Sequence, residues 1–148
     1  MYRNIVVGTD GSERAALAVE HAASLAAATG STLHLAQGCG SSVSVAPMFG
    51  DVAPVDPRSI VSACVSELQP VADRIAEAHG VAVTVHVEPV AGPDALISVA
   101  GEVGAELIVC GNRGLSGVGR VLGSVAKSVL GRARCAVLVV DTSTPTAG

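Results

Sequence analysis

The stretch "NIVVGTDGSERAALAVEHAASLAAATGSTLHLAQ", residues 4–37, contains the unit from which the fold follows. Two short aliphatic runs, 4–9 and 32–37, flank an Ala-rich stretch with helical periodicity. Ser12 stands at the head of that stretch as an N-cap, and Gly30 ends it as the residue that accepts a left-handed backbone. A strand, a helix and a second strand in so short a span read as a parallel pair joined by a crossover helix.

The same alternation continues outward. Further strands are expected at 82–88, 105–111 and 136–141, with those at 4–9, 105–111 and 136–141 the most buried. A second helix should run from about Asp56 to His79, with Pro57 in its first turn, Gly80 past its end and a kink at Pro70. Two more are expected at 93–103 and 118–132. The pattern predicts an α/β domain, a five-stranded parallel doubly wound sheet with helices on both faces. One segment, 38–54, fits neither periodicity and reads as a long loop, either a binding lid or a surface excursion. The domain should span 1–141, with 142–148 a flexible tail.

A chain of 148 residues, 49% hydrophobic, fits one domain with a continuous core. With one Tyr, one Phe and no Trp, that core has to be aliphatic. The net charge of −4 argues against a nucleic-acid partner. The short apolar run at the N-terminus does not read as a signal peptide, and nothing reads as a membrane span, so a cytoplasmic protein is expected. Cys39, Cys64, Cys110 and Cys135 show no C-x-x-C spacing, and His21, His34, His79 and His86 are scattered. No resident metal is expected.

In an open parallel sheet, ligands bind beyond the carboxyl ends of the strands. Two predicted strand ends look prepared for this: "GTDGS", 8–12, and "CGNRGLSGVGRVLGSVAKS", 110–128. The second packs five glycines into its loop and helix entrance, and the wider stretch from Leu107 to Val140 has no acid yet holds five of the nine cations. Such glycines allow close backbone approach, and first-turn amides of a helix donate to an anion. The plainer reading has the cations solvating a helix face, as Arg132 and Arg134 are expected to do. Asp10 reads either as a contact to a ribose or base or as a helix cap, although Ser12 is available for capping.

Other nucleotide and catalytic signatures fail. The P-loop pattern is missing, because Lys127, the chain's one lysine, follows Ala126. The first strand-to-helix turn lacks G-x-G-x-x-G, and "GLSGVG" does not match G-x-S-x-G. No nucleophile, base and orienter come together, so an enzyme is not expected.

Nearly the whole chain, from "IVVGTDGSERAALAVEHAASLA" through "AELIVCGNRGLSG" and "LGSVAKSVL" to "CAVLVV", resembles the universal stress protein (UspA) superfamily in its small single-domain actinobacterial style. The resemblance implies strand order 3-2-1-4-5 and a homodimer formed by the last strands. Its nucleotide-binding branch carries G-x2-G-x9-G-[ST], which Gly111, Gly114, Gly123 and Ser124 match in type. The second spacing is one residue short, since eight residues, Leu115 to Leu122, separate Gly114 from Gly123. By position, the resemblance implies that Gly8, Thr9 and Asp10 flank the adenosine and that Gly38 lies where relatives place an apolar contact to the base. Cys110 and Gly111 would border the adenosine, Arg113 and Gly114 the phosphates, and Ser124 and Val125 the helix entrance. The implied ligand is ATP, with AMP and cyclic AMP as alternatives and Mg2+ only as the nucleotide's counter-ion. The implied role is a stress sensor or regulator with little or no hydrolysis. A module acting through protein contacts alone is the rival.

Overall fold

The computed structural model describes residues 1–40, 55–112 and 122–143. Five strands, β1 (Asn4–Gly8), β2 (Thr32–Gly38), β3 (Val83–Glu88), β4 (Leu107–Asn112) and β5 (Ala136–Asp141), form one parallel sheet in the order β3-β2-β1-β4-β5. Among the described residues four helices connect them: α1 (Glu13–Thr29), α2 (Pro57–His79), α3 (Gly92–Val103) and α4 (Ser124–Arg132). The expected elements are all present with ends within two residues of expectation, except that the last helix starts at Ser124 and not near 118, because Gly123 is its N-cap in extended backbone and Leu122 before it is not helical. Position 118 itself lies outside the described residues, as do 41–54 of the expected loop and 144–148 of the expected tail.

The caps act as expected from sequence. The Ser12 side chain accepts the Ala15 amide, and Gly30 closes α1 at φ 68° with its amide on the Ala26 carbonyl. Asp56 caps α2 through the Arg58 amide, and Gly80 closes it at φ 65°. Pro70 sits inside α2 without ending it.

Each face of the sheet carries two helices. Ile5, Val7, Leu33, Leu35 and Val109 pack against Ala18, Ala22 and Ala26 of α1 and Leu68, Ala72 and Ile75 of α2. On the other face, Val6, Ala36, Ile108 and Cys110 meet Leu96 and Val99 of α3 and Ala126 and Val129 of α4. The alanines bring α1 close to the sheet, which is how a core almost without aromatic rings is filled.

Two expectations about strand burial and the tail are revised. β5 is not among the most buried strands, because it forms an edge and only Val140 of its six residues is buried. β2, flanked on both sides, takes that place, with four consecutive buried residues. Thr142, assigned by sequence to the C-terminal tail, is 2% exposed.

Candidate functional site

β1 and β4 are adjacent, yet the chain leaves β1 toward β2 on one side and leaves β4 toward β5 on the other, so a crevice opens at their carboxyl ends. A cleft of about 550 Å³ occupies that position. One wall is the end of β1 and the start of α1, contributing Gly8, Thr9, Asp10, Ser12, Arg14 and Ala15. Its floor is Ala36 and Gly38 of β2 with Gly92 and Leu96 of α3, and its far wall is Gly111, Val125 and Thr142.

The first wall is rigid through local hydrogen bonds. The Thr9 amide donates to the Ala36 carbonyl at 3.0 Å, and the Thr9 hydroxyl oxygen accepts the Gly11 amide at 3.1 Å. Asp10 Oδ1 accepts the Ser12 amide at 3.0 Å, and Ser12 Oγ accepts that of Ala15 at 3.2 Å. Gly11 makes the turn at φ 79°, a left-handed conformation suited to glycine. Ser12 therefore serves as the cap, and Asp10 stands at the cleft with one oxygen in the turn.

Gly38 has a steric reason of its own. A Cβ placed there would lie 2.5 Å from the Val90 carbonyl oxygen and 2.7 Å from the Gly92 nitrogen. The β3–α3 connection crosses β2 at this point, and the Cys39 and Gly40 amides donate to the carbonyls of Glu88 and Val90, each at 2.9 Å. The close crossing accounts for the glycine.

The far wall joins the end of β4 to the start of α4. Gly123 is the N-cap of α4, in extended backbone and with no side-chain cap. Its own amide donates to Asn112 Oδ1 at 3.3 Å. The Asn112 carbonyl accepts the Thr142 hydroxyl at 2.7 Å. The first-turn amides of α4 thus head the cleft's far side, where the helix dipole favours an anion.

The structure brings Gly8, Thr9, Asp10, Gly38, Gly111 and Val125 to one cleft. Gly123 and Ser124 stand at its helix entrance, next to Val125. Cys110 is 2% exposed and packs into the α3/α4 face of the core, with burial pushing its thiol pKa up, so its side chain is not part of the described lining. Arg113 and Gly114 lie outside the described residues. Sequence reading missed Arg14, Leu96, Asn112 and Thr142. Arg14 is signalled by its place in the first turn after Ser12, where a side chain leans back over the helix start. The other three act through contacts distant in sequence.

Arg132 stands in the last turn of α4 as expected and also pairs with Asp94 of α3 at 2.7 Å. Among the described residues no three His, Cys, Asp or Glu side chains form a group that could hold a metal, and no helix is long and apolar enough to cross a membrane.

The model of the universal stress protein family matches residues 1–141. Two Mycobacterium tuberculosis proteins, universal stress proteins MT1672 and Rv1636, are each 34% identical to it over 150 residues, covering 96% of this chain and 98% of theirs. A crystal structure of a universal stress protein in complex with cAMP superposes with a TM-score of 0.68 at 35% identity, covering 96% of this chain and 98% of that one. A universal stress protein from Archaeoglobus fulgidus gives a TM-score of 0.68 at 25% identity, covering 95% of each chain.

Proposed function

This chain belongs to the universal stress protein family, and on that premise we propose that its cleft binds an adenine nucleotide, with the adenosine on the Gly8–Asp10 side and the phosphates toward the start of α4. The observation that carries the reading is the pairing of two walls of opposite character across one cleft. On one side is the Asp10 carboxylate, a hydrogen-bond acceptor for ribose hydroxyls. On the other is a helix start without a side-chain cap. The complex of a 35% identical relative with cAMP supports the class of ligand.

ATP is the proposed physiological ligand, with Mg2+ only as its counter-ion. Gly111, Gly114, Gly123 and Ser124 carry the glycine pattern that supports a phosphate site, and Arg113 is its proposed cation. Cyclic AMP is the second reading, favoured by the relative's complex. The proposed role is that of a cytoplasmic sensor or regulator with little or no hydrolysis, working as a homodimer through β5. We take the domain to span 1–141, a reading supported by the family match over the same residues.

Release of any copurified ligand by acid, followed by chromatography against ATP, AMP and cyclic AMP standards, tests the reading, with calorimetric titration of each ligand into emptied protein. Micromolar or tighter binding of one of them is expected. Failure of all three to bind would leave the module that acts through protein contacts alone.

A further inference from the structure

We propose that Asn112 and Thr142 are positioning residues of this cleft, a clamp that fixes the start of α4 against the end of β4 so that the first-turn amides are in place for a ligand's phosphate. The inference rests on the nucleotide reading above and assigns a role to two residues that its glycine pattern does not include.

Asn112 is the last residue of β4 and holds two partners at once. Its side-chain oxygen takes the Gly123 amide at 3.3 Å, bridging eleven positions of sequence, while its main-chain carbonyl takes the Thr142 hydroxyl at 2.7 Å. Thr142 follows β5 directly and lies one residue beyond the family match, yet it is 2% exposed. Its methyl group explains Gly111 as well: a Cβ on Gly111 would lie 2.9 Å from Thr142 Cγ2, so the threonine occupies the space that the glycine leaves. Three segments, the end of β4, the N-cap of α4 and the exit of β5, therefore meet at Asn112.

Gly123 has no side chain with which to cap α4, and Asn112 ties it down from outside the helix. The bond engages the Gly123 amide and not those of Ser124, Val125 and Ala126, which belong to the helix's first turn. An anion gains most from such donors when they are already in place, because drifting donors must be ordered at the ligand's expense. Thr142 touches the cleft with its side chain but exerts this effect through Asn112, by fixing the carbonyl that precedes the phosphate loop.

The test titrates ATP, AMP and adenosine calorimetrically into the full-length protein and into Thr142→Val, Thr142→Ser and Asn112→Ala, with unfolding temperatures measured alongside. Valine keeps the shape of threonine and removes the hydroxyl, whereas serine keeps the hydroxyl. Thr142→Val and Asn112→Ala should weaken ATP and AMP by about 3- to 10-fold, the range of one lost hydrogen bond. Adenosine should change by less than about twofold, and Thr142→Ser should bind ATP as the natural protein does. Equal losses for all three ligands, no loss for any, or a serine variant as weak as the valine one would each overturn the positioning role while leaving the nucleotide reading intact. A natural protein that binds none of the three would overturn the nucleotide reading, and the clamp's role with it.

Discussion

His34 on β2 and His86 on β3 face each other with His34 Nδ1 and His86 Nε2 3.0 Å apart, and His34 Nε2 is 3.1 Å from Asn4 Oδ1 on β1. The Asn4 amide nitrogen donates to the Val103 carbonyl at 3.1 Å, so Asn4 Oδ1 is an acceptor and His34 must carry its proton on Nε2. His34 Nδ1 then accepts from His86 Nε2. One directed chain of hydrogen bonds thus crosses three strands and ends on α3. A second proton on His34 would have to enter at Nδ1, which reverses the direction of this bond and requires His86 to move its own proton to Nδ1.

Stability should therefore fall in mild acid. Burial, followed by the charge of His86, holds the His34 pKa below the ordinary imidazole value. The folded state thus binds fewer protons here than the unfolded chain. The contribution is fully present above about pH 6.5 and is lost as the pH falls through that value toward the lower folded pKa. Glu106 accepts the Arg3 and Asn4 amides at the same end of the sheet, and these bonds lower its pKa, so its own loss belongs to more acid conditions. Urea unfolding from pH 7.5 to 5.5 should show the decline, and His34→Gln should flatten it. Parallel profiles for the two proteins would refute the assignment.

Gly38→Ala should destabilise the protein by about 1–3 kcal/mol, the usual range for overpacking. Its Cβ would meet backbone atoms of Val90, Ala91 and Gly92, which cannot rotate away. Gly101→Ala is the contrasting case, since nothing lies within 4 Å of its added Cβ and the position is inside α3. It should gain up to about 1 kcal/mol in helix propensity. Denaturant midpoints of the two variants measure both effects, and a neutral Gly38→Ala would contradict the close crossing.

Gly123→Val should cost about tenfold or more in ATP affinity, a loss of about 1.4 kcal/mol, with little change in unfolding temperature. The backbone at Gly123, φ −61° and ψ 160°, is one that valine adopts without strain, so the effect falls on the ligand that approaches the helix start. Calorimetry with ATP reads it out. Unchanged affinity in a folded variant would move the phosphates elsewhere.

Among the described residues no strand neighbours the outer edge of β5, and Leu138 on it is 37% exposed. Apolar edge strands invite pairing with a second copy. Light scattering at micromolar concentration should report twice the monomer mass, and Leu138→Lys should shift the population toward monomer. A monomeric natural protein would dispose of the proposed dimer.

The fold was legible because its signals are local. Ser12 with Gly30, and Asp56 with Gly80, bracket their helices within a window that a reader of sequence can hold, and the strand runs lie between them. The cleft was half legible for the same reason: Gly8, Thr9, Asp10 and Gly111 sit at strand ends, and strand ends in a parallel sheet share one edge. What escaped depends on pairs distant in sequence. Nothing near Gly38 announces Val90, nothing near Asn112 announces Thr142, and the hydrophobicity of "AVLVVD" makes β5 look buried even though the strand order implied by the resemblance puts it at an edge.

Pro70 gives α2 two different fates on the path to unfolding. A proline inside a helix donates no amide hydrogen to the carbonyl one turn before it, here that of Ser66. The buried residues of this helix, Leu68, Ala72 and Ile75, all lie within two residues of that break or beyond it. The turns from Pro57 to Glu67 have no fully buried residue to hold them. Amide protons in that first half should exchange with solvent through local opening, while those after Pro70 wait for the whole domain to unfold. Because α2 contributes nothing to the described lining of the cleft, half a helix can fray in this protein while the walls around a bound ligand stay closed.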